Sequence, residues 1–249
     1  MCAALVLCAL GQTRAQDQPP AQQPEQGKKK REILVQCDEI VGVTTGEKDI
    51  WELRGNVEMR HEDAVMYADH AWWNREERTA RLVDGVRIEH PDHVMTSDVC
   101  DVDFKKKIAR FTGNVKIRTE RKRKEGEQPA GEEDELTKYE YMVWWTTCDE
   151  LIYNYDTDEG EARGNIESVS DDKKYHFYAD VAYYRIERLT DGTEIEVIEL
   201  PNNPLMKSTE GDTYQVSHVI IKIWPEDESG YRKKEVNATG VRILEVQQR

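Results

Sequence analysis

A turn-type pair recurs along the chain at a fixed interval, and the residues on both sides of it alternate. Gly55-Asn56, Asp84-Gly85 and Gly113-Asn114 fall 29 residues apart, and Gly164-Asn165 lies 51 further on, one interval plus 22. Weaker versions stand at Asn203-Pro204 and Thr239-Gly240. A period of this size signals a fold built from stacked units, each burying its apolar face against the next. Residues 119–140 account for the surplus of 22; 13 of them are charged, so they read as a solvated insertion. A second insertion is expected around 186–200.

Within a unit the apolar period is two. Leu53, Val57 and Met59 flank the first pair, Leu82, Val86 and Ile88 the second, and Phe111, Val115 and Ile117 the third; their neighbours Glu52, Arg54, Glu58, Arg87, Arg110 and Lys116 are charged. Such alternation predicts strands with one buried face. The pairs themselves suit two-residue hairpin turns, which need positive φ, so hairpins are expected there.

An aspartate is the second landmark. Asp69 and Asp98 each follow a pair by 14 residues, Asp38, Asp149 and Asp180 have similar surroundings, and Ser217 takes the place in the last unit. Before each aspartate the apolar residues are one and three positions away, as in Met66 and Ala68, Met95 and Ser97, Phe177 and Ala179. After it they are two and four away, as in Ala71 and Trp73, Cys100 and Val102, Ala182 and Tyr184. A one-residue shift exchanges the faces of a strand, so a uniform strand would expose one of the two sets. A bulge or corner at the aspartate keeps both on one side. Each unit is therefore two strand segments joined by a bend, and the protein is all-β.

The apolar run from Cys2 to Leu10, followed by small and polar residues up to Ala15, makes residues 1–16 a secretory signal, although without the usual basic start. Residues 17–31 are a Pro- and Gln-rich linker with little capacity to fold, and 32–249 form a single domain. The net charge of −15 argues against nucleic acid as a partner, because phosphate binding needs a basic footprint.

Several motifs invite sharper readings. Cys37 and Cys148 share a column with Ala68, Ser97 and Ala179, and Cys100 shares one with Ala71 and Ala182, so core packing accounts for all three. Stacked strands also separate Cys37 from Cys148 beyond the reach of a disulfide. The stretches "HPDH" (90–93) and "NYDTDEGE" (154–161) resemble metal loops, but the second lacks the glycine of a calcium loop and its turn is filled elsewhere by "NREER" or "KKK". Neither a metal nor a cofactor is expected. The aspartates appear once per unit, as structural bend residues do, rather than as the asymmetric carboxylate pair of a glycosidase. Nothing resembles a nucleophile elbow, a phosphate loop or a zinc helix, so no enzymatic activity is expected. The doubled aromatics Trp72-Trp73, Trp144-Trp145 and Tyr183-Tyr184 place one ring on each face; the outward ring serves either as a cross-strand prop or as part of a contact surface.

The motifs "RGNVEM", "MYADHAWW", "TGNVKI", "CDELIYNY", "ARGNIESV", "FYADVAYY" and "NNPLMKS…VSHVII" together resemble the OstA-like family over roughly residues 33–246. That family includes the periplasmic lipopolysaccharide-transport proteins A and C and the N-terminal domain of outer-membrane protein D. The resemblance implies a V-shaped β-jellyroll, or β-taco, of stacked antiparallel strands with an apolar inner groove. It also implies the periplasm of a diderm bacterium, and lipopolysaccharide or a related acylated glycolipid as ligand, its acyl chains in the groove and its sugars in water. Partners would be further copies and other OstA-like proteins, met through edge strands near residues 33–37 and 241–246. The groove candidates are Leu53, Val57, Met59, Met66, Val86, Ile88, Met95, Phe111, Val115, Ile117 and Phe177, lining a slot that the two walls leave open. This chain departs from the family in its insertions, in lacking the membrane helix of the C-type component and in its acidity. Two other readings stand beside this one: a ligand-free β-solenoid scaffold with a filled core, and a polysaccharide-binding or -cleaving β-helix.

Overall fold

The alternating segments form strands, and the strands form one antiparallel sheet. The computed structural model describes residues 33–45, 48–61, 64–90, 93–120, 143–208, 213–226 and 232–244. The segments expected to be a signal and a linker, and most of the expected charged insertion, lie outside the described residues. The first half contains β1 (Leu34–Gln36), β2 (Glu39–Thr45), β3 (Lys48–His61), β4 (Ala64–Asn74), β5 (Thr79–His90), β6 (His93–Asp103) and β7 (Ile108–Thr119). Next come β8 (Trp144–Asn154), β9 (Glu159–Ser170), β10 (Tyr175–Arg188), β11 (Glu194–Leu200) and β12 (Leu205–Ser208). The last are β13 (Thr213–Gln215), β14 (His218–Glu226), β15 (Arg232–Thr239) and β16 (Arg242–Leu244). From β3 to β10 the strands pair in chain order, and the sheet stays open rather than closing into a barrel.

Every long strand is bent once, where the aspartates and the turn-type pairs meet. Between β3 and β4 the register jumps from Arg54↔His70 to Val57↔Ala68, so Gly55 and Asn56 face Asp69 alone. The same two-against-one count recurs between β5 and β6, between β7 and β8 and between β9 and β10. This is a β-bulge repeated on every rung. It carries the apolar parity across the bend and turns the sheet over on itself. Both residues of the four strong pairs have left-handed backbone, as at Gly55 and Asn56 with φ of 70° and 46° and at Asp84 and Gly85 with 59° and 71°; at Thr239-Gly240 only the glycine does. The expected positive φ is present, but the pairs are not hairpin turns: they lie in mid-strand, and the ladder resumes on both sides. In the weaker unit the left-handed residues are Asn202 and Asn203.

The aspartate side chain holds the bulge. Asn56, Asn114 and Asn165 each donate their amide to Asp38, Asp98 and Asp149 at 2.8, 2.9 and 2.8 Å. Asp69 stands against Gly85, and Asp180 holds the corresponding place on β10. At the last bend, Ser217 donates its backbone N–H to Thr239 O at 2.8 Å.

The bend divides the sheet into two walls. The first contains β2, β11, β14, β15 and the β3–β10 segments on their side of the bend; the second contains β1, β12, β13, β16 and the remaining segments. The first wall ends in turns at 75–78, 104–107 and 155–158, each closed by a residue of positive φ: Arg78, Lys107 and Asp158. Asn74, Asp103 and Asn154 start these turns, their side-chain oxygens accepting from backbone amides two or three residues on. Residues 186–200, expected as a second insertion, are in the sheet as the ends of a longer hairpin. The β10–β11 ladder runs on to Arg188↔Glu194, whereas β9 stops pairing at Tyr184↔Gly160.

Gly164 tests the bend. A Cβ there would lie 2.3 Å from Asp149 Oδ2, on a backbone with φ of 71°. Gly164→Ala is expected to cost about 2–3 kcal/mol, combining the left-handed penalty with the clash. In an Asp149→Gly background, which also removes the Cβ that would lie at 3.0 Å, only the left-handed part, about 1–2 kcal/mol, should remain. Urea unfolding of the four-member cycle reads the difference, and equal costs in the two backgrounds would rule out the contact.

Candidate functional site

Strand register turns the inward positions into columns that run the length of the sheet. On the second wall Met59 pairs with Met66, Met66 with Ile88, Ile88 with Met95, and Met95 with Ile117. The column continues through Thr146, Ser168, Phe177 and Met206. Nearer the bend run Val57, Ala68, Val86, Ser97, Val115 and Cys148; across from them, on the first wall, run Leu53, Ala71, Leu82, Cys100, Phe111 and Leu151. All eleven groove candidates face inward, none is more than 6% exposed, and all belong to one core cluster. The walls meet over them, so the trough is filled by the protein's own side chains instead of the open slot expected. It is not apolar throughout. At β8 and β9 it holds a hydroxyl pair, Thr146 Oγ1 and Ser168 Oγ, 2.8 Å apart.

The two rims close against each other through rings. His61 on the second rim lies edge-on to Phe104 and Tyr155 of the first, with centroids 5.5 and 5.6 Å apart. His90 stacks on His93 and meets the edge of Tyr153 at 6.5 Å. Tyr153 donates to Asp158, and burial, reinforced by that carboxylate, pushes its hydroxyl pKa up. Among the described residues no backbone ladder joins the rims. Apolar alternation alone does not announce this seam. The signal was present: His61 and His90 continue the inward parity two positions past Met59 and Ile88.

Residues 29–124 match a family model described as OstA-like protein. The chain carries an OstA-like segment. It contains β1 to β7, ten of the eleven groove candidates and the bends at Asp38, Asp69 and Asp98. Beyond it, the Asp149–Asn165 bend repeats the geometry of Asp98–Asn114. No curated protein matches the sequence.

At the N-terminal end of the OstA-like segment the trough ends in a concavity of 490 Å³ lined by Ile33, Asp49, Trp73, Arg75, Glu76 and Arg78. The Arg75 guanidinium lies 4.6 Å from the centroid of Trp51 and 3.3 Å from Asp49, which also accepts from Trp51 Nε1 at 2.7 Å. The doubled aromatics split as the parity requires. Trp144 and Tyr184 are buried and Trp73 packs against the core, while Trp72, Trp145 and Tyr183 are exposed.

Among the described residues three cysteines are free thiols: Cys100 and Cys148 in the core, Cys37 half-buried at the edge and donating to Glu39 O at 3.4 Å. Burial pushes Cys148 up to about 12 and Cys100 well above the thiol range; it also raises Cys37. Raised values keep all three protonated at neutral pH, so access decides which of them reacts. In a protein with Cys2 and Cys8 replaced by serine, an aromatic disulfide reagent at pH 8 should label Cys37 alone. Cys37→Ser should abolish that reaction, and denaturant should release the other two thiols. Rapid labelling of Cys100 in the folded protein would contradict the packed interior.

Proposed function

We propose that this chain is a non-enzymatic periplasmic carrier that passes lipopolysaccharide, or a similar acylated glycolipid, between inner and outer membranes. The observation that supports this best is a methionine-rich inner column between two walls that share a hydrogen-bonded bend and, among the described residues, touch only through side chains at the mouth. An acyl chain in water costs about 0.8 kcal/mol per exposed CH₂, so a lipid with several chains needs continuous apolar cover. Parting the rims exchanges side-chain contacts for acyl contacts, and methionine adapts to either partner. The ladder along the strands is left intact.

The ends of the sheet support a bridge. Among the described residues β1 and β2 pair only with β3, β15 only with β14, and β16 only with β13. Such edges add a strand from a matching partner, and a further copy or another OstA-like protein supplies one. The family match supports the same assignment. The complete burial of the groove candidates favours a second reading, a scaffold whose filled core never opens.

Site-specific photocrosslinking separates the two. With a photoreactive residue at Met95 or Phe111, the carrier should form lipopolysaccharide adducts in cells, while the same residue at outward-facing Trp145 should form few. Delipidated protein should also take up a fluorescent acyl probe. Inward positions that capture no lipid, together with no probe uptake, would leave the scaffold as the function.

A further inference from the structure

The outer face of the first wall carries a feature that the repeat does not require. Three residues after the five bend aspartates stand Val41, Trp72, Asp101, Ile152 and Tyr183, on the outward parity, so the architecture accepts an acid or an aliphatic where this unit has a tryptophan. Trp72 is 37% exposed and lines a shallow concavity of 390 Å³ that spans β3 to β7. That volume falls within the range of small-ligand sites.

The indole is held in place. His70 packs on it with centroids 4.1 Å apart, and His70 Nε2 is itself fixed 2.8 Å from Glu52 Oε1. Ile50 and Ile108 supply apolar floor. Along one edge, in direct register with Trp72, lie Arg81, Asp101 and Arg110.

The charges in this concavity are balanced. Arg81 reaches both oxygens of Asp101 at 3.2 and 3.3 Å, Arg110 is held by Glu150, and Asp103 lies 3.3 Å from Lys106. A phosphate would have to displace a carboxylate from its guanidinium, and an acyl chain would lie among ionised groups. A neutral polyhydroxylated ring meets neither obstacle. Its C–H face stacks on an aromatic plane, and its hydroxyls find donors and acceptors side by side in the Arg81–Asp101 pair.

We propose that this concavity is a saccharide-binding subsite for a neutral glycan, with Trp72 as the platform and Arg81 and Asp101 as the polar edge. It lies on the opposite face of the wall from the trough, and it does not depend on the carrier reading. The sugar belongs either to a free polysaccharide or to the head group of a bound glycolipid.

The indole N–H resonances of ¹⁵N-labelled full-length protein report on the site without any lipid. Titration with chitohexaose, cellohexaose and the neutral, phosphate-free O-polysaccharide released from lipopolysaccharide should shift one indole signal saturably, the one missing from Trp72→Phe. Trp72→Ala and Asp101→Asn should each weaken binding about tenfold, while Tyr183→Ala leaves it unchanged. Tighter binding of the two free oligosaccharides assigns the site to a polysaccharide; tighter binding of the neutral O-polysaccharide assigns it to a glycolipid head group. No saturable shift with any of the three, or undiminished affinity in a folded Trp72→Ala, overturns the proposal.

Discussion

An aspartate set against two left-handed residues of the neighbouring strand is the constraint on which this fold depends. One residue opposite two is a bulge, and a bulge repeated on every rung becomes a crease. The Asp–Asn hydrogen bonds hold it, and the lack of a Cβ in the pair lets the carboxylate approach. Because the crease absorbs the parity shift, apolar side chains on both sides face inward. Burying Leu53, Met59, Phe111 and Leu151 fully contributes about 1.5–3 kcal/mol each, and without the crease half of that surface would face water.

The two sides of the fold are held together in different ways. At the crease the chain is continuous and the ladder restarts after two or three residues. At the mouth, imidazoles face a phenylalanine and two tyrosines across the gap. Edge-to-face ring contacts are worth about 0.5–1.5 kcal/mol each beyond their burial, far less than the ladder. A fold with a strong hinge and a weak seam opens at the seam, and this asymmetry is the physical content of the carrier proposal.

Much of this was legible in the sequence, and the limits have a common cause. The switch of apolar parity at Asp69 and Asp98 required a bend, and the bend is there. Gly55-Asn56 was read as a hairpin because a two-residue turn and this bulge both demand positive φ. Only the neighbouring strand distinguishes them, and it is 14 residues away in the chain. His61 and His90 obeyed the inward parity, yet a histidine scores as polar in any count of alternation, so the count stopped one position short. The surplus at 186–200 was visible as length, but its form as an overlong hairpin arises from pairing. The concavity at Trp72 joins side chains from five strands, and no local pattern announces it.

Stacked rungs also give the molecule a metric. Twelve strands lie along the main path of the sheet, and at about 4.8 Å per step the stack measures roughly 53 Å. Each 29-residue unit supplies one descending and one returning strand, and so adds about 10 Å. Among the described residues the outermost strands β1, β2, β15 and β16 each pair on one side only, the geometry a further unit extends. The span of such a protein is therefore a matter of arithmetic: duplicating a stretch of coding sequence lengthens the object in fixed increments, and the chain behaves as a ruler graduated in pairs of strands.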